Sequence, residues 1–140
     1  MTADQAAELL DEALNAAGLP AIERVRHLWE IEFGDVVGNV ELIRNGDRRL
    51  VYSLQFLLLS GVEPSDAFRD AVAAEPHLRL EDLGLPQDGL GAWLARDVEA
   101  ESGDAASSIL SLGQVLARQV PRRGDALIAQ FGGSRGWLPA

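Results

Sequence analysis

The sequence RRLVYSLQFLLL at residues 48–59 decides the fold, because its apolar residues alternate with the period of a β-strand. One face of this predicted central strand is uniformly apolar and therefore core-facing, and it comprises Leu50, Tyr52, Leu54, Phe56 and Leu58. The opposite face is polar at its centre and apolar at its far end, with Val51, Ser53, Gln55, Leu57 and Leu59. We therefore expect something other than bulk water to cover that far end.

Two further strands are predicted upstream of the central strand. Residues 24–33 alternate with period two, and residues 36–44 alternate in the same way. One face of the first segment comprises Val25, His27, Trp29, Ile31 and Phe33. Asn45-Gly46 lies between residues 36–44 and the central strand. This pair readily adopts positive φ angles and predicts a type I′ hairpin turn. Together the three segments predict an antiparallel meander.

Two helices are predicted on either side of this meander. Residues 3–17 carry apolar side chains at helical spacing, with Thr2 as a plausible N-cap and Gly18 after the end. A short second helix follows Pro64, with Phe68 and Val72 on its apolar side.

The remaining chain predicts two strands and a long final helix. Residues 77–85 and 90–98 show the alternation of strands. The final helix starts after Ser102 or Asp104, ends at Gly132-Gly133, and contains Pro121, which predicts a kink or a brief break. The predicted fold is an α+β domain of order α-β-β-β-α-β-β-α. Its antiparallel sheet has about five strands, with the first and last helices on one face.

Composition excludes several functional classes. A length of 140 residues is typical of one domain, and the absence of cysteine excludes disulfides and thiolate metal sites and fits a reducing compartment. The net charge of −10, with arginine as the only basic residue type, disfavours nucleic-acid binding. The first residues are acidic and amphipathic, and no apolar run approaches the ~20 residues of a membrane span. We expect a cytoplasmic protein that binds neither nucleic acid nor membrane.

Candidate catalytic and metal-binding residues lack partners in the sequence. His27 and His77 lie on different elements without a ligand at metal-binding spacing. Glu30 and Glu32 share a strand face, as an acid/base pair would, but so do carboxylates on any solvated strand. The glycine-rich residues 132–136 follow a helix, whereas a phosphate-binding loop precedes one. We therefore expect no catalytic residue, no metal and no cofactor.

The predicted sheet has more apolar residues than one core face requires. Either the second helix and the loops cover the surplus, or a subunit interface or a bound peptide does. The second interpretation predicts a partner-binding set and self-association as a homodimer. The predicted set is Leu28, Ile43, Val51, Leu57, Leu59 and Trp137.

The end of the chain is predicted to differ from the rest. Residues 1–133 form the domain and residues 134–140 a flexible tail that carries Trp137 and Leu138. Two alternatives stay open for these side chains. They are either solvated, or docked marginally in an apolar groove of the same domain or of a neighbouring subunit, from which a partner's peptide would displace them.

Three segments resemble a known family. They are RRLVYSLQFLLLSGVEPSDAFRDAV at residues 48–72, LGAWLARDVEA at 90–100 and LIAQFGG at 127–133. With the order of elements, they resemble the YbjN-like, CesT-like (type III secretion chaperone-fold) peptide-binding chaperones of bacteria. The resemblance implies a non-enzymatic protein that binds a peptide or protein partner, commonly as a homodimer. The alternative is a regulatory or sensory module that binds a small ligand.

Overall fold

The fold is an antiparallel β-sheet with three helices on one of its faces. A computed structural model describes residues 1–84 and 88–139. The helices are α1 (Ala3–Ala17), α2 (Asp66–Ala73) and α3 (Ala105–Phe131). The strands are β1 (Ala21–Val25), β2 (Leu28–Phe33), β3 (Val36–Arg44), β4 (Leu50–Val62), β5 (Leu78–Asp82), β6 (Leu90–Glu99) and β7 (Ser134–Arg135). The sheet order is β1-β2-β3-β4-β6-β5, with β7 beside β4. The predicted α+β class is confirmed.

Strand β4 lies at the centre of the sheet, as residues 48–59 predict. Every residue of its predicted core-facing set is at most 1% exposed, namely Leu50, Tyr52, Leu54, Phe56 and Leu58. These side chains belong to one apolar cluster that also contains the buried residues of α1, α2 and α3. All three helices therefore pack on this face of the sheet, which we call the helix face.

Helix α1 is attached to the sheet by polar as well as apolar contacts. Thr2 caps it through a reciprocal pair of hydrogen bonds with Gln5, and Gly18 ends it with φ 67°. The buried Tyr52 hydroxyl donates to the Ala6 carbonyl oxygen at 2.6 Å. Trp29 Nε1 donates to Asp11 Oδ1 at 3.0 Å. Because both aromatic side chains are buried with their polar atoms satisfied, they fix the position of α1 along the sheet.

Helix α3 crosses the helix face at short distance because glycines face the sheet. A Cβ atom on Gly113 would lie 2.6 Å from the Phe33 ring, so only glycine permits this approach. Asp104 is the N-cap residue, but its side chain makes no capping hydrogen bond. Helix α3 runs continuously through Pro121, so the predicted brief break is absent.

Residues 24–33 are two strands and not the one strand that their alternation predicts. Strands β1 and β2 form a hairpin whose turn contains Arg26 and His27, with His27 at φ 66°. A positive φ is unusual for a histidine, and no glycine, proline or asparagine marks the turn. Val25, predicted to share the face of Trp29, is consequently 62% exposed on an edge strand.

The loop between β3 and β4 also differs from its prediction. The Arg48 N–H donates to the Asn45 carbonyl and the Asn45 N–H to the Arg49 carbonyl, each at 2.9 Å. The positive φ lies at Arg48, at 61°, and not at Asn45 and Gly46 as a type I′ turn requires. Asn45 Oδ1 accepts hydrogen bonds from the Asp47 and Arg49 N–H groups, so this side chain organises a longer loop.

The chain end is part of the sheet. Strand β7 pairs with Leu59 and Ser60 of β4 and Trp137 is buried, so the prediction that residues 134–140 form a separate flexible tail is wrong for residues 134–137. With the hairpin of β1 and β2, this strand raises the number of strands above the five expected. The predicted strand at residues 77–85 is confirmed over Leu78–Asp82, and residue 85 lies outside the described residues.

Gly38 is expected to be essential for core packing. A Cβ atom there would lie 2.6 Å from Phe56 Cε1. Gly38→Ala should therefore destabilise the protein by about 1–3 kcal/mol in urea denaturation. Gly46→Ala is the matched control, because a Cβ at Gly46 meets nothing within 4 Å and its φ is not positive. Equal unfolding midpoints for the two variants would contradict this packing.

The single tyrosine, Tyr52, is expected to lose its proton at a higher pH than an exposed tyrosine does. Burial raises the pKa of Tyr52 to about 12, against about 10 in an unfolded chain. The folded state retains its proton longer, so the stabilisation is complete below pH about 10 and is lost as pH rises towards about 12. Because the chain has one tyrosine, the rise in tyrosinate absorbance with pH reports this group alone, while the three tryptophans add a background that does not titrate. A midpoint near pH 10 in the folded protein would refute the burial of the hydroxyl.

Candidate interaction surface

The face of the sheet opposite the helices, which we call the outer face, is organised as rows of neighbouring side chains across the strands. Strand pairing from β2 to β5 defines these rows, because opposed residues in an antiparallel pair point to the same side. The rows are Ile43–Val51–Glu99, Leu28–Glu41–Ser53–Asp97, Glu30–Asn39–Gln55–Ala95 and Leu57–Trp93–Arg79.

Small residues at the centre of the outer face are buried although no helix covers them. Val51 is 3% and Ala95 5% exposed, yet neither belongs to the cluster on the helix face. Ser53 is fully buried, and its Oγ accepts a hydrogen bond from Gln55 Nε2 at 3.2 Å. Longer neighbouring side chains therefore shield the centre of this face.

Larger apolar residues on the outer face remain partly exposed. They are Leu28, Ile43, Leu57 and Trp93. Ile43 lies directly opposite Val51, and Leu28 is one diagonal step from Ile43 because it pairs with Glu41. At the edge of the sheet, Ile22 and Val25 are 56% and 62% exposed. They continue this apolar area beyond β2.

Carboxylates are interspersed with these apolar residues. Three of them form ion pairs with arginines: Glu30 with Arg24 at 2.7 Å, Asp97 with Arg79 at 3.7 Å, and Glu99 with Arg49 at 2.8 Å. Glu41, between Leu28 and Ser53, has no ion-pair partner among residues 1–84 and 88–139. Hydrogen bonding to Glu30 raises the pKa of the Arg24 guanidinium. The outer face is thus acidic and apolar together.

Four of the six predicted partner-binding residues lie on the outer face, and two do not. Leu28, Ile43, Val51 and Leu57 share it, although Val51 is buried by its neighbours. Leu59 is fully buried on the helix face. The pairing of β4 with β6 shifts between Leu57 and Leu59, and this β-bulge ends the simple alternation. The prediction that Leu59 faces a partner is therefore wrong.

Trp137, the second residue that does not lie on the outer face, is buried in the protein's own core. It is 3% exposed and belongs to the core cluster of its own domain. Its carbonyl oxygen accepts a hydrogen bond from the Val37 N–H at 2.8 Å. The docked alternative is confirmed for Trp137, in a groove of the same domain, whereas Leu138 is 52% exposed.

The docked segment covers the far end of the outer face. Gly136 lies against the side chain and carbonyl of Leu57, where a Cβ would overlap. Burial of the Trp137 indole contributes about 4–6 kcal/mol, from roughly 150–250 Å² at ~25 cal/mol per Å². Ordering the four residues 134–137 costs about 1–2 kcal/mol each, or about 4–8 kcal/mol together. The two effects are of similar size, so the segment is held by a small margin.

Sequence reasoning missed Trp93, Ile22 and Val25 as outer-face residues. Trp93 alternates with Leu94, so its face was visible in the sequence, but only its pairing with Leu57 and Arg79 places it beside the other apolar residues. Ile22 and Val25 depended on recognising the hairpin of β1 and β2, for which the sequence carries no turn signal.

A separate cleft of about 500 Å³ lies between helix α3 and the β2–β3 turn. Leu19, Phe33, Gly34, Asp35, Val36, Gln114, Ala117, Arg118 and Pro121 line it. Pro121 has no N–H, so the Ala117 carbonyl lacks the hydrogen bond that any other residue at position 121 would donate to it. The cleft thus combines an apolar wall with polar groups from α3.

The remaining candidate residues occupy structural positions. The partly buried His27 stacks on Trp29 with ring centroids 6.3 Å apart, and its Nε2 lies 3.5 Å from Asp4 Oδ1. His77 is exposed at the start of β5. Throughout residues 1–84 and 88–139, no three histidine, cysteine or acidic side chains converge in a way that could hold a metal ion. Within the same residues, no helix has the length and apolarity to cross a membrane.

Comparisons with known proteins do not extend this picture. No protein family, no curated protein and no solved structure matches the chain. The geometry of the described residues therefore carries the functional argument.

Leu59 and Leu57 are expected to respond differently to truncation. Leu59→Ala creates a core cavity and should destabilise the protein by about 2–5 kcal/mol. Leu57→Ala removes a partly exposed side chain and should cost clearly less. Urea denaturation of both variants measures the difference. A larger loss for Leu57→Ala would contradict the assignment of the two leucines to opposite faces.

Proposed function

We propose that the chain is a non-enzymatic module that binds a protein or peptide on the outer face of its sheet. The observation that supports this function is the combination of partly exposed Leu28, Ile43 and Trp93 on a sheet face without a helix. Leu28 and Ile43 are diagonal neighbours, and partly exposed apolar side chains grouped on an uncovered sheet face mark an interaction site more often than a solvated surface. The resemblance to the YbjN-like and CesT-like chaperones belongs to this proposal, and the order of helices and strands is compatible with it.

The chemistry of the outer face favours a partner that is apolar and basic. Ile43 and Leu28 offer apolar contacts. Glu41 lies between Leu28 and Ser53, and it has no ion-pair partner among the described residues. An arginine or lysine on the partner would pair with this carboxylate, and the net charge of −10 would steer a basic segment toward the surface.

In the homodimeric form of this proposal, the partner is a second copy of the chain. The sheet edge formed by Ile22 and Val25 and the neighbouring outer face are the surfaces available for it. A stable dimer needs to bury on the order of 1,600 Å² in total. Sedimentation velocity over a wide range of protein concentrations tests this form. A monomer at all concentrations would remove self-association from the proposal and leave the heterologous partner.

A small-ligand function is the second candidate, and the cleft beside Pro121 favours it. Its volume of about 500 Å³ lies within the range of small-molecule sites. The Ala117 carbonyl and the side chains of Gln114 and Arg118 are polar groups around an apolar wall. The test is to screen a compound library for members that raise the melting temperature of the protein. A compound that raises it for the wild type but not for Ala117→Phe would support this function over peptide binding.

The decisive test selects peptides that bind the protein from a random library and then measures their affinity for variants of the outer face. The double variant Leu28→Ser/Ile43→Ser should weaken their binding by at least about tenfold, which is roughly 1.4 kcal/mol, because it removes two neighbouring apolar side chains from the outer face. Val115→Ser is the matched control, since Val115 is 52% exposed on α3 and distant from this face. Isothermal titration calorimetry measures each dissociation constant.

Two results would contradict the proposed site. One is equal affinity of the selected peptides for the wild type and the folded double variant. The other is an equal loss of affinity in Val115→Ser, which would show that binding depends on exposed apolar side chains in general. Circular dichroism of each variant confirms that the fold is retained.

A further inference from the structure

A second recognition element lies in the gap between β3 and β4. The two strands pair from Asn39 opposite Gln55 to Arg44 opposite Leu50, and this pairing stops before Val36. The chain's own residues 134–137 continue the hydrogen bonding there. Strand β7 pairs with Leu59 and Ser60, and the Trp137 carbonyl accepts from the Val37 N–H at 2.8 Å. The segment thus bridges β3 and β4 in the manner of an added strand.

The gap selects side chains at three successive positions. Arg135 donates from Nε and Nη2 to the two carboxylate oxygens of Asp125, at 2.9 and 3.2 Å. A Cβ at Gly136 would overlap Leu57, so this position requires glycine. The Trp137 indole lies against Gly124 of α3, where a Cβ would overlap the ring. The site therefore fits the sequence arginine-glycine-tryptophan.

The occupying segment has a connection that permits release. Gly132 and Gly133 join it to α3 with φ 79° and 94°, and both residues are exposed. Strand β7 is only two residues long and exposed. Trp137 is the only residue of segment 134–137 that is buried in the core, so release of this segment removes a single side chain from the core.

We propose that this gap is a binding site for an extended Arg-Gly-Trp segment of another protein, with residues 134–137 as its intramolecular competitor. The site is distinct from the Leu28 and Ile43 region of the outer face and does not depend on the function proposed for that face. The guanidinium of the incoming segment would pair with Asp125 and lie over its own indole, as Arg135 does at 5.9 Å from the Trp137 ring centroid. The glycine would pass Leu57.

The test uses full-length Arg135→Ala and a labelled synthetic peptide, GSRGWLP, with the sequence of residues 133–139. Arg135 is an exposed residue, so the substitution loosens the intramolecular segment and leaves the core intact. The peptide should bind this variant at least about tenfold more tightly than the wild type, in which the tethered segment competes at high effective concentration. Fluorescence anisotropy measures both affinities.

Two controls identify the site. A peptide with the change corresponding to Gly136→Ala should lose binding, because its methyl group would meet Leu57. Asp125→Asn in the Arg135→Ala chain should weaken binding of the unmodified peptide, because the charge of the arginine's partner is removed. Chemical-shift changes at the Val37 and Leu59 amides should accompany binding.

Three outcomes would overturn the proposal. They are absence of peptide binding to the folded Arg135→Ala chain, equal binding of the alanine-substituted peptide, and dimerisation of the variant without peptide binding. The last outcome would assign the gap to exchange between copies. Should Arg135→Ala not fold, hydrogen exchange of the wild type decides. Exchange of the Val37 amide as slow as that of Val40 would then exclude local release.

Discussion

The β-bulge between Leu57 and Leu59 in the central strand controls the division of the sheet into two faces. Before the bulge, β4 sends alternate side chains to the helix face and to the outer face. After it, Leu58 and Leu59 both enter the core. The outer face therefore ends at Leu57, and the next residues of β4 receive β7. Both candidate interaction regions meet at this irregularity.

Helix packing on one side leaves the outer face without a structural cover. Gly113 and Gly124 let α3 approach the sheet closely, and α1 is held beside it by hydrogen bonds from Tyr52 and Trp29. The core is complete with these contacts, so the apolar residues of the outer face contribute little to it. Their partial exposure is the property that a binding function would use.

The sequence predicts the elements with strong periodicity and misses those that depend on single residues. Alternation locates β3 and β4, and helical spacing with caps locates α1 and α2, because these patterns follow directly from burial on one side. The hairpin at Arg26-His27 has no turn residue to reveal it, and the bulge after Leu57 shifts a leucine run in which every residue is apolar. Strand β7 is too short to show a period. The outer face was therefore predicted in outline, with Leu59 and Trp137 misplaced.

The contact of α1 with α3 has a consequence for the order in which the chain acquires structure. These helices come from opposite ends of the sequence and pack on the same side of the sheet. On a ribosome, β1 to β4 emerge and pair as local hairpins long before α3 is synthesised. Until then, the apolar side of β4 lacks its cover and is open to misassociation. Helix α3 thus covers this side of the sheet only after every strand from β1 to β6 has been synthesised.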